Sequence, residues 1–221
     1  MIAIQHLSKT YGKQTVLSDI TLTLNAGTIY GLVGVNGSGK TTLMRCMCGF
    51  SKPSMGSVVC NGKIIGKDLD FPSKTGIIIE SPGFLPNYSG FRNLEILAAV
   101  SGTVTKARMI AVITLVGLDP SDKKPVGKYS LGMRQRLGIA QAIMEDPDNL
   151  ILDEPFNGLD TQGIKDVHSL LSRLKAQGKC ILLASHSAYD IAQACDQVFE
   201  LRDGRLTETP VERMPCNAFK R

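Results

Sequence analysis

The sequence predicts an α/β fold with a parallel-sheet core, an antiparallel β portion towards the N-terminus and a helical insert between two core strands. Three observations carry this reading. An apolar run over 28–33 leads into a glycine-rich loop and then a helix-compatible stretch over 43–48. Two further apolar runs, 150–152 and 180–184, flank a helix-compatible 162–175, which is the pattern of a β-α-β crossover with parallel strands. Between 91 and 144 the apolar residues recur at three and four, as in Leu94, Leu97 and Ala98 and again in Ile110 and Ile113.

Taken in order, 2–7 reads as a strand, 11–13 as a turn, and the alternation of Ile20, Leu22 and Leu24 with threonines as a second strand with one buried face. A turn over 25–27 delivers the chain to the 28–33 strand. Asn61-Gly62, between 57–60 and 63–65, marks a hairpin because both residues tolerate positive φ. The apolar 77–79 ends at Glu80 and a Pro/Gly-rich turn over 81–90, and Gly102, Gly117 and Pro120 break the helical block that follows. A terminal hairpin is expected from 197–201 and 205–206 around Asp203-Gly204. One unit results: a mixed β core from 1–82 and 146–206, a helical subdomain over about 83–145, and a C-terminal tail over 207–221, without internal repeats.

Composition narrows the function classes. A chain of 221 residues can bury a real core. Its 25 basic and 20 acidic residues are scattered and give a net charge of +5, with no basic run of the kind that binds nucleic acid. Aromatic residues make up 5%, too few for a single-strand stacking platform. The six cysteines fall irregularly, several in apolar segments, so buried free thiols are expected; Cys46 and Cys48 have no second Cys or His pair at zinc spacing. The first eight residues lack a leader pattern and no apolar run is long enough to span a bilayer, so a cytosolic chain is expected.

The chemistry concentrates in the loop. Residues 31–42, Gly-Leu-Val-Gly-Val-Asn-Gly-Ser-Gly-Lys-Thr-Thr, fit the P-loop pattern GxxxxGK[ST] through Gly34, Gly39, Lys40 and Thr41, between a strand and a helix start. Backbone N–H groups along Asn36, Gly37, Ser38, Gly39, Lys40, Thr41 and Thr42 can turn towards a polyphosphate, Lys40 can reach its terminal phosphates, and the Thr41 hydroxyl can ligate Mg²⁺. A P-loop NTPase core follows. Ligands gather at the carboxyl ends of parallel strands, and two other strands end suitably. One delivers Asp153 to the metal and Glu154 beside it, where a carboxylate can polarise a water; the other ends at His186, within reach of a γ-phosphate.

The stretch over 129–137, Tyr-Ser-Leu-Gly-Met-Arg-Gln-Arg-Leu, opens the helix leading to Leu150. Here the chain resembles the ATP-binding subunits of ABC transporters, and the resemblance runs from Ile2 to about Leu206. It implies that Tyr11 stacks on adenine and that Ser130 and Gly132 meet the γ-phosphate of ATP held by the opposite subunit. It also implies that Glu80 stands at the metal, that Gly158-Leu159-Asp160 contacts the partner, and that His186 senses the γ-phosphate. A helix start bearing Ser130 and Gly132 is an anion site on physical grounds as well.

Two departures mark this chain. Leu131 and Met133 replace the family's usual Gly and Gln, and Glu80 replaces its usual Gln. Glu80 followed by Ser-Pro-Gly-Phe is similar to the bacitracin and lantibiotic self-protection branch. The resemblance implies a homodimer or paired ATPase around two Mg²⁺-ATP, and a separate integral-membrane permease that holds the chain on the inner face of the membrane. It implies export of an antimicrobial peptide and no nucleic-acid partner. Another drug or a lipid-linked substrate stays open as cargo, as does a soluble ABC ATPase acting on ribosomes or DNA.

Overall fold

A computed structural model describes residues 1–80 and 82–210. The elements are β1 (Ile2–Tyr11), β2 (Gln14–Leu24), β3 (Ile29–Val33), α1 (Lys40–Met47), β4 (Met55–Cys60), β5 (Lys63–Ile64) and β6 (Thr75–Ile78). Then come α2 (Gly90–Ser101), α3 (Lys106–Leu115), a 3₁₀ turn at Val126–Lys128 and α4 (Leu131–Ile143). The chain continues with β7 (Asn149–Asp153), α5 (Thr161–Ala176), β8 (Cys180–Ala184), α6 (Ala188–Ala194), β9 (Gln197–Arg202) and β10 (Arg205–Thr209).

Two sheets form. The smaller is antiparallel, in the order β2-β1-β4-β5, and its β4–β5 turn places Asn61 and Gly62 at φ 50° and 81°, the positive pair that a two-residue hairpin turn needs. The larger runs β10-β9-β3-β8-β7-β6, parallel from β9 to β6 with β10 antiparallel on its edge. β3, β7 and β8 are buried at every residue, which is why they read as unbroken apolar runs rather than alternating ones.

The large sheet separates two cores. Tyr30, Leu32, Ile151 and Leu182 face the antiparallel sheet and the α1 residues Leu43, Met44 and Met47. On the other face, Ile29, Val33, Leu150, Leu152 and Leu183 pack with Leu137 and Ile139 of α4 and with Val167, Leu170 and Leu171 of α5. Helix α1 is thereby held by buried apolar residues on the same layer as the ends of β3 and β7, and this fixes the glycine loop over those ends.

Several boundaries differ from expectation. Tyr11 belongs to β1 and pairs with Gln14, leaving Gly12-Lys13 as the turn. Helix α1 begins at Lys40, three residues before its apolar face does. β10 extends to Thr209, so the expected tail from 207 begins in a strand; residues 211–221, which include Cys216, lie outside the described residues. Cys46, Cys48, Cys60, Cys180 and Cys195 are free and buried, and burial pushes the Cys48 and Cys180 thiols up to about 12 and about 11, leaving them protonated and inert. Among the described residues, no helix is long and apolar enough to cross a membrane.

Candidate active site

The loop between β3 and α1 is shaped by glycine. Gly37 and Gly39 have φ of 80° and 107°, and a Cβ on Gly34 would stand 2.5 Å from the carbonyl of Leu201 and 2.6 Å from Ser38 Oγ. Gly39 caps α1 without a side-chain hydrogen bond, so the first N–H groups of the helix keep their donors for an anion. Lys40, the first residue of α1, is 7% exposed, and its ammonium donates to Gly34 O at 2.7 Å and Val35 O at 3.3 Å. Burial pushes its pKa below the ordinary lysine value, against the opposing pull of Glu154 and Asp153. A buried cation arched over a glycine loop, facing two carboxylates, is matched to an anionic ligand.

Thr41 points to the end of β7. Its hydroxyl donates to Asp153 Oδ2 at 2.8 Å. Burial raises the Asp153 pKa above the ordinary aspartate range; the Thr41 hydrogen bond and Lys40 oppose the shift, and Glu154 and Glu80 add to it. Lys40, Thr41, Thr42, Asn36, Gly37, Gly39, Asp153 and Glu154 line one cleft of about 410 Å³, with Val16 of β2 as a further wall. Ser38 lies in the loop with its hydroxyl buried and without a hydrogen-bond partner.

Glu154 follows at φ 51°, a left-handed conformation that turns its carboxylate back to the end of β8. Oε1 accepts from His186 N at 2.9 Å, while Oε2 accepts from Ser185 Oγ at 3.2 Å and lies 2.9 Å from His186 Nδ1. The register of β7 on β8, with Asp153 opposite Ala184, creates this meeting. Thus Glu154 and His186, 32 residues apart, share one hydrogen-bonded cluster at the strand ends.

The other expected residues lie around this centre. Ser130 is the N-cap of α4, exposed, with its Oγ accepting from Met133 N at 3.2 Å. Gly132 sits in the first turn of that helix, against the carbonyl of Gly158. Asp160 caps α5 by accepting from Gly163 N at 2.8 Å. Tyr11 is half-exposed; the Lys9 ammonium lies 4.7 Å from its ring centroid, and the ring is outside the P-loop cleft. Glu80 accepts from Arg45 Nη1 at 3.1 Å, and it shares a second cleft of about 330 Å³ with Asp153, Glu154 and Gln135.

Among the described residues, no three His, Cys, Asp or Glu side chains gather to hold a metal. The oxygen donors at the loop are Thr41 and Asp153. A metal held by so few protein oxygens takes its remaining ligands from substrate phosphates and water, which is the coordination that Mg²⁺ favours. The donor set fits that ion.

Residues 17–157 match the sequence profile of the ABC transporter family. The chain belongs to that family. It is an ABC-type ATPase cassette that binds ATP. An ABC transporter ATP-binding protein of Bacillus subtilis strain 168, YybJ, is 44% identical over 206 residues, covering 93% of this chain and 94% of its own. The bacitracin transport ATP-binding protein BcrA of Enterococcus faecalis is 43% identical over 94% of this chain and 68% of its own. The lantibiotic transport ATP-binding protein SrtF of Streptococcus pyogenes is 36% identical over 93% and 89%. Among solved structures, an ATP-binding subunit of an ABC transporter superposes with a TM-score of 0.86 at 26% identity, covering 96% of this chain and 90% of that one. A dimeric bacterial ABC transporter cassette shares the fold, with a TM-score of 0.84 at 22% identity over 94% and 98%.

Three contacts of this ABC cassette have no signal in the sequence. Arg45 meets Glu80, Ser185 meets Glu154, and the buried Gln135 side chain donates to Glu154 O at 3.2 Å. Each joins residues of different elements with no motif to announce it.

Proposed function

We propose that this cassette hydrolyses Mg²⁺-ATP as one member of a head-to-tail pair and drives a separate integral-membrane permease that expels a bacitracin- or lantibiotic-class peptide. The observation that carries the catalytic part is the Glu154 carboxylate, oriented by His186 and Ser185 in the cleft that also holds Lys40, Thr41 and Asp153.

In this reading the loop from Asn36 to Thr42 cradles the phosphates through its backbone N–H groups, and Lys40 carries the compensating charge. Thr41 and Asp153 hold Mg²⁺, which when bound neutralises charge at the phosphates. Glu154 is the general base: its carboxylate, held by neighbouring donors, keeps lone pairs to accept a proton from an attacking water. His186 orients Glu154 and reads the terminal phosphate. Ser130 and Gly132 at the start of α4, with Asp160, close the site of the opposite subunit; Tyr11 packs against the base once Lys9 leaves its ring.

The whole chain acts as one ATPase unit, with about 83–145 as the helical subdomain that meets the permease. Leu85 and Tyr88, apolar residues exposed by nearly half in the turn before α2, support docking there. The carboxylate of Glu80 and the names of BcrA and SrtF support a peptide cargo. The protein then sits peripherally on the inner face of the membrane.

The test is purification of tagged protein from detergent-solubilised membranes of cells that carry it, followed by mass spectrometry. A stoichiometric multi-spanning protein is expected, and deleting either gene is expected to raise sensitivity to bacitracin or a lantibiotic. Recovery with ribosomes or DNA-repair proteins, or unchanged peptide tolerance, contradicts the transport reading.

A further inference from the structure

The carbonyl of Glu154 accepts from Asn157 N at 3.1 Å, within its own turn, and from Gln135 Nε2 at 3.2 Å, across from α4. Glu154 N donates to Ala184 O at 2.8 Å, so both backbone polar groups of this residue are held. The φ of 51° is a conformation that a non-glycine residue keeps only where its surroundings hold it. Gln135 is 6% exposed, and a buried amide is retained only where it is hydrogen-bonded.

Close packing surrounds this bond. A Cβ on Gly132 would stand 2.6 Å from the Gly158 carbonyl, and one on Gly158 would stand 2.4 Å from Leu131 Cγ. Arg136 Nη2 lies 3.9 Å from Asp160 Oδ1. The first turns of α4 and the 154–160 segment therefore have little room to shift relative to each other. Ser130 caps the same helix one turn before Gln135.

We propose that Gln135 is a positioning residue that couples the two ATP sites of the dimer. When Ser130 seats at the partner's nucleotide, the displacement of α4 passes through the Gln135–Glu154 bond to the Glu154 of the same subunit, which serves that subunit's own nucleotide. The proposal rests on the roles given above to Glu154 and Ser130. Each site thereby becomes competent for hydrolysis when the other is filled, so the coupling acts on turnover rather than on ATP affinity.

Gln135→Met keeps length and volume and removes the donor. Expected are a melting temperature and an ATP Kd close to wild type, kcat lowered about tenfold, KM nearly unchanged, and a Hill slope for hydrolysis against ATP that falls towards one. Should that variant fail to fold, Gln135→Asn, which withdraws the amide by one methylene, is expected to show the same pattern. A folded variant with wild-type kcat and Hill slope overturns the proposal, as does a wild-type slope of one or a loss confined to ATP binding. Glu154→Gln, measured in parallel, separates the failures. If it retains turnover, the general-base reading falls and takes this proposal with it; if it loses turnover while the Gln135 variants do not, only the link through Gln135 falls.

Discussion

The Thr41 hydroxyl donates to Asp153 Oδ2 at 2.8 Å and so ties the first turn of α1 to the carboxyl end of β7. That contact joins the glycine loop to the strand delivering both carboxylates of the cleft. Burial raises the Asp153 pKa above the ordinary aspartate range, and the Thr41 hydrogen bond opposes that shift without cancelling it.

Stability and function are therefore expected to oppose each other at Asp153. A carboxyl whose folded pKa is raised binds its proton more tightly in the native state, so its contribution is most favourable below the unfolded value of about 4 and is lost as pH rises through the folded value. Asp153→Asn still accepts the Thr41 hydrogen bond and removes the buried charge. Its nucleotide-free form is expected to melt above wild type at neutral pH, by a margin that shrinks towards pH of about 4, while Mg²⁺-dependent hydrolysis is lost. Calorimetry across pH checks this; a margin that grows on acidification contradicts it.

Glu80 and Arg45 are expected to act as a pair. Because the Arg45 guanidinium holds the Glu80 carboxylate, Arg45→Met frees that charge beside Asp153, and the free Mg²⁺ needed for half-maximal hydrolysis is expected to fall a few-fold. Glu80→Gln is expected to keep ATP binding and change turnover. A Mg²⁺ titration at fixed ATP reads both. Wild-type Mg²⁺ dependence, turnover and peptide tolerance in both variants contradict the role given to Glu80.

Gly132→Ala tests the contact of α4 with the 154–160 segment. Its Cβ would lie 2.6 Å from a backbone oxygen, which cannot yield as a flexible side chain can. A destabilisation of about 1–3 kcal/mol is expected in urea unfolding. An unchanged midpoint contradicts the tight packing on which the coupling of the sites depends.

Sequence made the architecture legible where periodicity and turn chemistry are strong. Fully buried β3, β7 and β8 show as apolar runs, and Asn61-Gly62 and Asp203-Gly204 show as turns because they need positive φ. Helix α6 leaves no periodic signal in the sequence, since its seven residues bury only Ala188 and Ile191, too few to set a period. The turn expected over 11–13 starts one residue later because the strand pairing that extends β1 to Tyr11 is non-local. In the site, the local motif of Lys40 and Thr41 was readable. The Glu154–His186 cluster is made by the β7–β8 register, and the Arg45–Glu80 and Gln135–Glu154 contacts by packing between elements; such pairs leave no fixed spacing to read.

Activation of water by Glu154 is tested by measuring phosphate release from purified wild-type and Glu154→Gln protein. The expected result is a fall of about 100-fold or more in turnover, with ATP binding intact and an ATP-dependent dimer accumulating on size-exclusion chromatography. Undiminished phosphate release by Glu154→Gln would contradict it.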